Sequence, residues 1–284
     1  MLRGLVPTSV LRSVLLISCG VAAYSGLAVW KEQGRFQNYA DLPSGLEAAI
    51  SLAIGMLLGF RANRAFDRWW EARTLWGTLT NASRNLAVKL NNVIVRRDES
   101  FARFSDLVCA FPEVLRDHLR EGATLDNMPG RSGQNVNVQH PPSMLVNHMY
   151  GMLEKWKQEE RIHYGEVRMV DRDLKLFLEV CGGCERIRNT PIATSYRVFL
   201  NHAIGLFLLT LPWGIVNEFH FWTIPIVFLT SYFIIAIEGI ASHIEQPFGK
   251  KGDGLNLTKM CDSIRTSVEE IFATETAVHQ TDSH

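Results

Sequence analysis

The chain has 284 residues, of which 47% are hydrophobic and 20% are charged, which is too polar for a wholly embedded protein. Its 29 basic residues balance its 29 acidic residues, so net charge gives no reason to expect a nucleic-acid partner. The five cysteines are odd in number and dispersed, which argues against a disulfide framework. Because the apolar residues are clustered, we expect membrane and soluble parts in one chain.

The first apolar segment, 13–30, follows Arg3 and Arg12. A secretory signal peptide would fit the flanking charge, but its apolar core usually has about 7–15 residues and ends at a small-residue cleavage site. This segment is longer and ends at Trp30 and Lys31. We therefore expect a retained membrane helix. Its many small residues predict close packing against neighbouring helices.

The segment 51–84 organises the rest of the chain. Residues 52–60 carry no charge, and the sequence then becomes charged and aromatic without a proline or a turn signal. No helix breaker lies between Gly59 and Gly77. One helix is therefore predicted to run out of the bilayer into a soluble layer.

The middle of the chain has the pattern of a soluble helical part. Apolar residues recur at helical spacing over 81–188. A stretch at 122–142 is rich in Gly, Asn and Pro and predicts a mobile loop. Cys181 and Cys184 form a CxxC pair, but no second pair lies nearby. The two glycines between these cysteines favour close helix crossing over a metal or redox role.

Two further apolar segments, 196–213 and 219–240, predict a second membrane pair. The first is expected to end at a Pro–Trp–Gly step, and Pro225 is expected to break the second. Segment 257–272 predicts a last, amphipathic helix. Basic residues flank both membrane pairs on the sides away from their internal loops, so the positive-inside rule predicts four spans with both termini cytoplasmic.

These patterns divide the chain into four parts. Two parts are pairs of membrane helices, and two are cytosolic. The first pair includes the membrane portion of the long helix at 51–84. The expected parts are the first membrane pair 1–60, the cytosolic helical region 61–190, the second membrane pair 191–241 and the cytosolic C-terminal segment 242–284.

Leu52, Met56 and Phe60 lie on one face of the second helix because they are spaced by four residues. A stripe of this kind is typical of a packed core. In an oligomer, copies of the same face around an axis would instead form a hydrophobic constriction that gates by wetting and dewetting. Spacing alone leaves both interpretations open.

Arg61, Arg64 and Arg68 follow on the same helix. They form either a charge belt at the cytoplasmic membrane surface, with Trp69 and Trp70 as interface anchors, or an electropositive vestibule that concentrates anions. The histidines near the second membrane pair differ in depth, which argues against haem, and the sequence contains no Walker loop, Rossmann glycine motif or nucleophile elbow.

Three segments of the chain resemble the bestrophin family in its bacterial branch, and they occur in the family's order. The segments are LGFRANRAFDRWWEARTLWGTLTNASR at 58–84, CERIRNTPIATSY at 184–196 and IEQPFG at 244–249. The residues that carry the family signature, with a structural role, are Arg68, Trp69, Trp70, Pro247 and Phe248.

The resemblance implies an all-α integral membrane protein with four transmembrane helices and a large cytosolic helical region in each subunit. It implies a homopentamer around one central pore, in the inner membrane of the cell and surrounded by lipid. The expected activity is that of an ion channel and not of an enzyme, without a cofactor or a metal site. The expected permeants are small monovalent ions, chloride or other anions first. A sodium-conducting channel and a membrane scaffold without transport are the alternatives.

The resemblance also assigns pore residues by their position relative to Arg68. The neck of the pore is expected to consist of Leu52, Met56 and Phe60. The cytosolic aperture is expected near the start of the helix that contains Cys181, at Val167, with Met169 and Val170 as alternatives.

One departure from the family concerns calcium. Eukaryotic members carry an acidic run after the Pro–Phe–Gly step that helps to bind calcium. Here Lys250 and Lys251 follow that step, and two lysines supply none of the oxygen ligands that a calcium site needs. Calcium activation through this segment is therefore not expected.

Overall fold

The computed structural model describes residues 9–34, 43–94, 97–120, 139–250 and 254–274. Every long regular element in these ranges is an α-helix, so the all-α prediction is confirmed there. Most of the loop predicted at 122–142 lies outside the described residues. The helices are α1 (Ser9–Glu32), α2 (Ser44–Val93), α3 (Glu99–Arg120), α4 (Pro141–Gln158), α5 (Tyr164–Asn189), α6 (Thr194–Phe219), α7 (Thr223–Ile244) and α8 (Leu257–Ala273).

The chain divides into two compact units. The first contains α1, the N-terminal part of α2, α6 and α7, and the second contains the rest of α2 with α3, α4, α5 and α8. The first unit comprises Met1–Trp69, Pro191–Pro247 and Lys251–Asp253, and the second comprises Trp70–Thr190, Phe248–Lys250 and Gly254–His284.

The helix α2 is continuous over 50 residues. At 1.5 Å per residue it is about 75 Å long, more than twice the thickness of roughly 30 Å of the hydrocarbon core of a bilayer. It contains no proline, and the helix continues through Gly59 and Gly77. The predicted continuous helix is therefore confirmed.

In the first unit, one stripe of α2 packs against α6 and α7. Ile54 and Leu58 are buried in a cluster with Phe207 of α6 and Val227 of α7. The hydroxyl of Tyr196 adds a hydrogen bond to the carbonyl oxygen of residue 57 at 2.8 Å. In a bilayer, helices associate through van der Waals packing and hydrogen bonds of this kind, because lipid tails are as apolar as the side chains.

The helix α1 packs against α7 and α6 along its small residues. Ser18, Ala22, Ser25 and Ala28 recur at helical spacing and are all buried. Small side chains allow the helix axes to approach closely, which increases van der Waals contact. The prediction that this helix packs against neighbours through small residues is confirmed within the subunit.

Two predicted helix ends are wrong. Pro212 and Gly214 lie inside α6, which continues to Phe219. Packed neighbours support the backbone group that a proline leaves free inside a membrane helix. Gly214 lies so close to Glu47 of α2 that an added Cβ would collide with the Glu47 side chain. Pro225 is the third residue of α7. Backbone N–H groups in the first turn have no partner within the helix, so a proline, which has no N–H, is tolerated there and does not break the helix.

Three segments of the described chain are long and apolar enough to cross a membrane: Leu11–Glu32, Gly45–Val93 and Thr194–Ile244. The third consists of α6 and α7, which have 26 and 22 residues, and a span needs about 20. Trp30 and Trp222 are exposed where the end of α1 contacts the turn between α6 and α7. Exposed tryptophans at one end of an apolar bundle are typical of a membrane interface.

The second unit has an aromatic core. Phe104 packs on Trp156 with ring centroids 5.3 Å apart, and Phe111 packs on Phe177 at 4.7 Å. α3 packs against α4, α5 and α8, and α8 has nearly the predicted bounds. α4 begins at Pro141, within the stretch 122–142 that is predicted to be a loop, because prolines are favourable in the first turn of a helix.

Candidate functional site

Leu52, Met56 and Phe60 lie on an exposed face of α2. The exposed fractions of these residues are 75%, 60% and 55%, whereas Ile54 and Leu58 on the opposite face are almost fully buried. The three side chains therefore do not pack in the core of their own subunit. They form an uncharged apolar strip, which we call the α2 strip.

The exposed face becomes polar directly after Phe60. Arg64 and Asp67 follow on the same side of the helix, with 80% and 67% of their side chains exposed. Their nearest charged atoms are 4.0 Å apart. Such an exposed pair contributes little to stability, about 0–1 kcal/mol. An apolar strip followed by a pair of opposite charges is therefore what α2 presents outside its subunit.

Arg61 lies on the buried side of α2, with none of its side chain exposed. Its guanidinium pairs with Glu238, and its second terminal nitrogen lies 3.3 Å from the carboxylate of Glu245. Arg61 is therefore enclosed by two acidic groups, and the hypothesis that it belongs to an electropositive vestibule is wrong for this residue. A buried arginine between two carboxylates instead holds α2 against α7.

The two outer family-signature segments meet in the structure. Arg68 of α2 donates a hydrogen bond from Nε to the backbone oxygen of Glu245, the residue that caps α7, at 3.3 Å. Pro247 and Phe248 follow and are both buried. In the second unit, Arg120 donates to the backbone oxygen of Phe248 at 3.2 Å. The segment after α7 is thus held through its backbone.

The two tryptophans of the signature differ in exposure. Trp69 is half-buried, and its ring lies 6.1 Å from that of Phe66 in a stacked arrangement. Trp70 is largely exposed. A bulky exposed aromatic after an apolar helix segment is typical of an interface anchor, as one of the two interpretations of this region expects.

The residues considered for the cytosolic aperture lie in the first two turns of α5. The first turn of α5 is stabilised by Glu166, whose carboxylate accepts a hydrogen bond from the backbone N–H of His163 at 2.8 Å. Val167 is half-buried and Met169 is exposed. Val170 is fully buried, so it lines no opening in this conformation. Val167 and Met169 thus stay candidates.

The two cysteines of the CxxC pair are buried and not bonded to each other. Burial raises the pKa of Cys181 to about 12, and it also raises the pKa of Cys184 well above the ordinary range. A Cβ at Gly183 would lie 2.9 Å from a methyl carbon of Leu75, so this position allows α5 to approach α2 closely. The predicted role in close helix crossing is therefore confirmed for Gly183, whereas an added Cβ at Gly182 would meet open space.

A cluster of His118, His140 and Glu185 was not found by sequence analysis. The Nε2 atoms of the two histidines lie 2.6 Å and 2.8 Å from the same carboxylate oxygen of Glu185. Burial raises the pKa of Glu185, but the hydrogen bonds from the two histidines outweigh that effect and lower it. The three residues are far apart in sequence, so no local motif signals the cluster.

A cavity of about 430 Å³ lies in the first unit, and Glu238, the ion-pair partner of Arg61, forms part of its wall. It is bounded by α1, α6 and α7, and Glu238, Ser242 and His243 contribute polar groups to its wall. One oxygen of Glu238 and Nδ1 of His243 are buried without a hydrogen-bond partner among the described residues. The cavity does not include the α2 strip.

Comparisons with known proteins agree on one family. The family model described as Bacterial/Fungal Bestrophin protein matches residues 2–270. The chain is 32% identical to the voltage-dependent anion channel-forming protein YneE of Salmonella typhimurium, over 76% of this chain and 72% of that protein. It is 29% identical to the voltage-dependent anion channel-forming protein sll1024 of Synechocystis, over 78% and 75% of the two chains.

Solved structures show the same fold. The crystal structure of a bacterial Bestrophin homolog from Klebsiella pneumoniae superposes with a TM-score of 0.84, at 24% sequence identity. The likeness covers 93% of this chain and 98% of that one. The fold of both units therefore has a counterpart in a solved membrane protein.

Proposed function

Because this chain belongs to the bacterial and fungal branch of the bestrophin family, we propose that it is a channel for small monovalent anions, with chloride as the reference permeant. In this proposal five copies surround one central pore, each contributes α2 to the pore wall, and lipid covers the outside. Support for an anion comes from curated relatives at about 30% identity that are named voltage-dependent anion channel-forming proteins.

The observation that carries the proposal is the exposed α2 strip. In a narrow ring of Leu52, Met56 and Phe60, an ion sheds water without a polar group to replace it, so the strip would form a hydrophobic neck. The ring of Phe60 offers a positive edge to an anion and a negative face to a cation. The proposed aperture lies at Val167, on the first turn of α5.

The proposed topology has four spans: α1, the N-terminal part of α2, α6 and α7. The membrane pairs correspond to 1–60 and 191–241, and the cytosolic parts correspond to 61–190 and 242–284. Charge supports this arrangement, because basic residues flank each pair on one side. Both termini would then lie in the cytoplasm, with the protein in the inner membrane.

A cation channel is the second candidate, and one observation favours it. The carboxylate of Asp67 is exposed on the same face of α2, one to two turns beyond the strip. Because Arg64 lies beside it, the local charge is nearly balanced, and the uncharged strip does not select the sign of the ion. A sodium-conducting channel is therefore the alternative, and a scaffold without transport is the third possibility.

The measurement that separates these functions is a reversal potential. The purified protein is reconstituted into a planar bilayer under a gradient of sodium chloride, with protein-free bilayers as the control. We expect the current to reverse near the equilibrium potential of chloride. Reversal near the sodium potential would instead identify a cation channel. An intact oligomer without current would favour the scaffold.

A further inference from the structure

We propose that His118, His140 and Glu185 form a binding site for a divalent transition-metal ion of the Zn²⁺ type. The site lies wholly within the second unit and does not depend on the function proposed above. His118 belongs to the last turn of α3, His140 is the residue before α4, and Glu185 lies near the end of α5. A bound ion would therefore join three helices.

The ligand atoms already converge on one point. The two Nε2 atoms and one carboxylate oxygen all lie within 4.8 Å of one another. Two imidazole nitrogens and a carboxylate oxygen are ligands that suit zinc and its neighbours, with bonds of about 2.0–2.2 Å. Tetrahedral ligands at that distance are about 3.3 Å apart. The observed separations of 2.6 Å and 2.8 Å therefore need to widen only slightly for an ion to enter between them.

The surroundings of the cluster fix two of its three ligands. Arg188 of α5 donates a hydrogen bond to the backbone oxygen of His118 at 2.7 Å, which ties the end of α3 to α5. Nδ1 of His140 accepts a hydrogen bond from the backbone N–H of Ser143 at 3.2 Å. The imidazole of His140 is thus oriented by the first turn of α4, so its Nε2 faces Glu185.

Metal binding requires a proton shift at both histidines, because a carboxylate oxygen only accepts and Nε2 of each histidine therefore carries a proton in the unbound site. Nε2 of His118 would release its proton to Nδ1 or to solvent before it ligates the ion. Because Nδ1 of His140 now accepts a hydrogen bond, its Nε2 carries the proton that is donated to Glu185. On binding, Nε2 would release that proton and Nδ1 would take one up. The bond from Ser143, which is near the long end of the hydrogen-bond range, would then be lost. One weak helix-cap bond is exchanged for a metal–nitrogen bond.

The cluster is open enough for a fourth ligand. The side chain of His118 is mostly buried, whereas 39% of the His140 side chain and 26% of the Glu185 side chain are exposed. Water can therefore reach the metal position and complete a tetrahedral shell. A site with three protein ligands and one accessible water exchanges its metal more readily than a closed structural site, so we expect binding that a chelator reverses.

The test uses the full-length protein in detergent. The protein is stripped with EDTA, dialysed, titrated with zinc chloride and measured by calorimetry, with bound zinc counted by mass spectrometry. We expect one zinc ion per subunit. His118→Ala and His140→Ala should each weaken binding about a hundredfold. The matched control is His148→Ala, since His148 is an exposed histidine of α4 and should keep wild-type binding.

Two further variants separate ligation from folding. His140→Cys keeps a metal ligand and should retain zinc, whereas Glu185→Gln removes the charged oxygen and should weaken binding. Cobalt chloride gives an independent readout, because tetrahedral cobalt has visible absorption that the His140→Ala variant should lose. Each variant is compared only where its elution volume matches that of the wild type. Unchanged stoichiometry and affinity in His140→Ala and Glu185→Gln, or no binding by the wild type at 100-fold molar excess, would overturn the site.

Discussion

Two arginines one turn apart on α2 have opposite environments. Arg61 is buried between two carboxylates, whereas Arg64 is exposed beside Asp67. A buried guanidinium is favourable only while its partners compensate for lost solvation, and removing one member of such a group leaves charge uncompensated. The two positions therefore offer a matched comparison of the same side chain in two settings.

Replacing Arg61 should destabilise the first unit strongly. Arg61→Met leaves Glu238 and Glu245 without their shared partner, and the expected loss is about 3–5 kcal/mol. Arg64→Met removes an exposed pair and should change stability by about 0–1 kcal/mol. Thermal unfolding in detergent, followed by size-exclusion chromatography, measures both. Equal midpoints for the two variants would contradict the importance of the buried arginine.

The thiol of Cys181 should react slowly at neutral pH. Burial raises its pKa from 9.0 to about 12, so the folded protein keeps the thiol protonated where the unfolded chain already loses the proton. The reactive thiolate fraction should therefore grow about tenfold for each pH unit between pH 8 and 11 in the folded protein. In the unfolded protein the growth should level off near pH 9–10.

Alkylation with iodoacetamide, followed by peptide mass spectrometry, measures the two rates. The raised pKa also makes stability depend on pH. Between pH 9 and pH 12 the unfolded chain loses the thiol proton more readily than the folded protein, so the free energy of unfolding should fall progressively over that range. A folded-state rate that levels off near pH 9 would show that the thiol is not protected by burial.

At the scale of elements, α2 combines two surfaces in one helix. One stripe, with Ile54 and Leu58, packs against α6 and α7, and the other presents the α2 strip away from the subunit. Since the strip makes no use of its own subunit's core, shortening its side chains should leave the subunit fold intact. This property makes the neck hypothesis directly testable.

Replacing all three residues of the α2 strip with alanine should raise ion flux. A wider ring lets water through and lowers the barrier to a partly dehydrated ion, so selection among ions should also weaken. The matched control replaces three exposed apolar residues of α6 with alanine, and it should leave flux unchanged. These control residues are Phe199, Leu206 and Leu209.

Flux through liposomes and the mass of the detergent-solubilised oligomer are measured together. If the three residues were instead packed in a core, each alanine would leave a cavity that costs about 2–5 kcal/mol of stability. The triple variant would then be poorly expressed or dissociated. An intact pentamer with flux no higher than that of the wild type would rule out the neck assignment.

At the scale of the whole molecule, the two units differ in what they expose. The first exposes apolar side chains on all its helices, among them Leu16, Leu206 and Phe233. The second buries most of its aromatic residues and pairs many surface charges, for example Arg265 with Glu113 at 2.9 Å. Apolar surface suits lipid or neighbouring subunits, and charged surface suits water, which supports the proposed division between membrane and cytosol.

The proposed topology predicts which positions are accessible from outside an intact cell. Single cysteines introduced at Gln33, which follows α1, or at Asn217, in the last turn of α6, should react with an impermeant maleimide, since both positions lie at the ends of the membrane helices proposed to be external. A cysteine introduced at Gly133, in the stretch 122–142, should react only after lysis. These variants are made in a Cys19→Ser background, because Cys19 is exposed on α1 and would react itself. Reaction of the cysteine at position 133 in intact cells would contradict the proposed topology.

Flux should not respond to micromolar calcium. Lys250 lies on the segment that follows Phe248, and its ammonium group is not a ligand for a hard cation. The measurement compares liposome flux with calcium buffered at nanomolar and at micromolar levels on the cytosolic side. A steep rise with calcium would show that a different site exists and that the departure from the family pattern has no bearing on calcium.

Local sequence patterns predicted most helices because the period of a helix is a property of neighbouring residues. The continuous α2 followed from the lack of a proline or turn signal, and the shared face of Leu52, Met56 and Phe60 followed from a spacing of four residues, whereas the exposure of that face did not. The predicted end at Pro212–Trp213–Gly214 failed for a tertiary reason, whereas the break predicted at Pro225 failed for a local one, because this proline lies in the first turn of α7. Gly214 is needed for contact with Glu47, and a proline ends a helix only where no packed neighbour or helix start supports it.

The sequence by itself determined the helical class, the membrane-type segments and the family, since these depend on composition, periodicity and short motifs. Only the tertiary structure decided that Arg61 is enclosed while Arg64 is exposed, because helical spacing does not say which face meets a neighbour. It alone brought together the residues of the proposed metal site, separated by up to 67 positions. Contacts between distant helices depend on how those helices pack, and no local pattern records that packing.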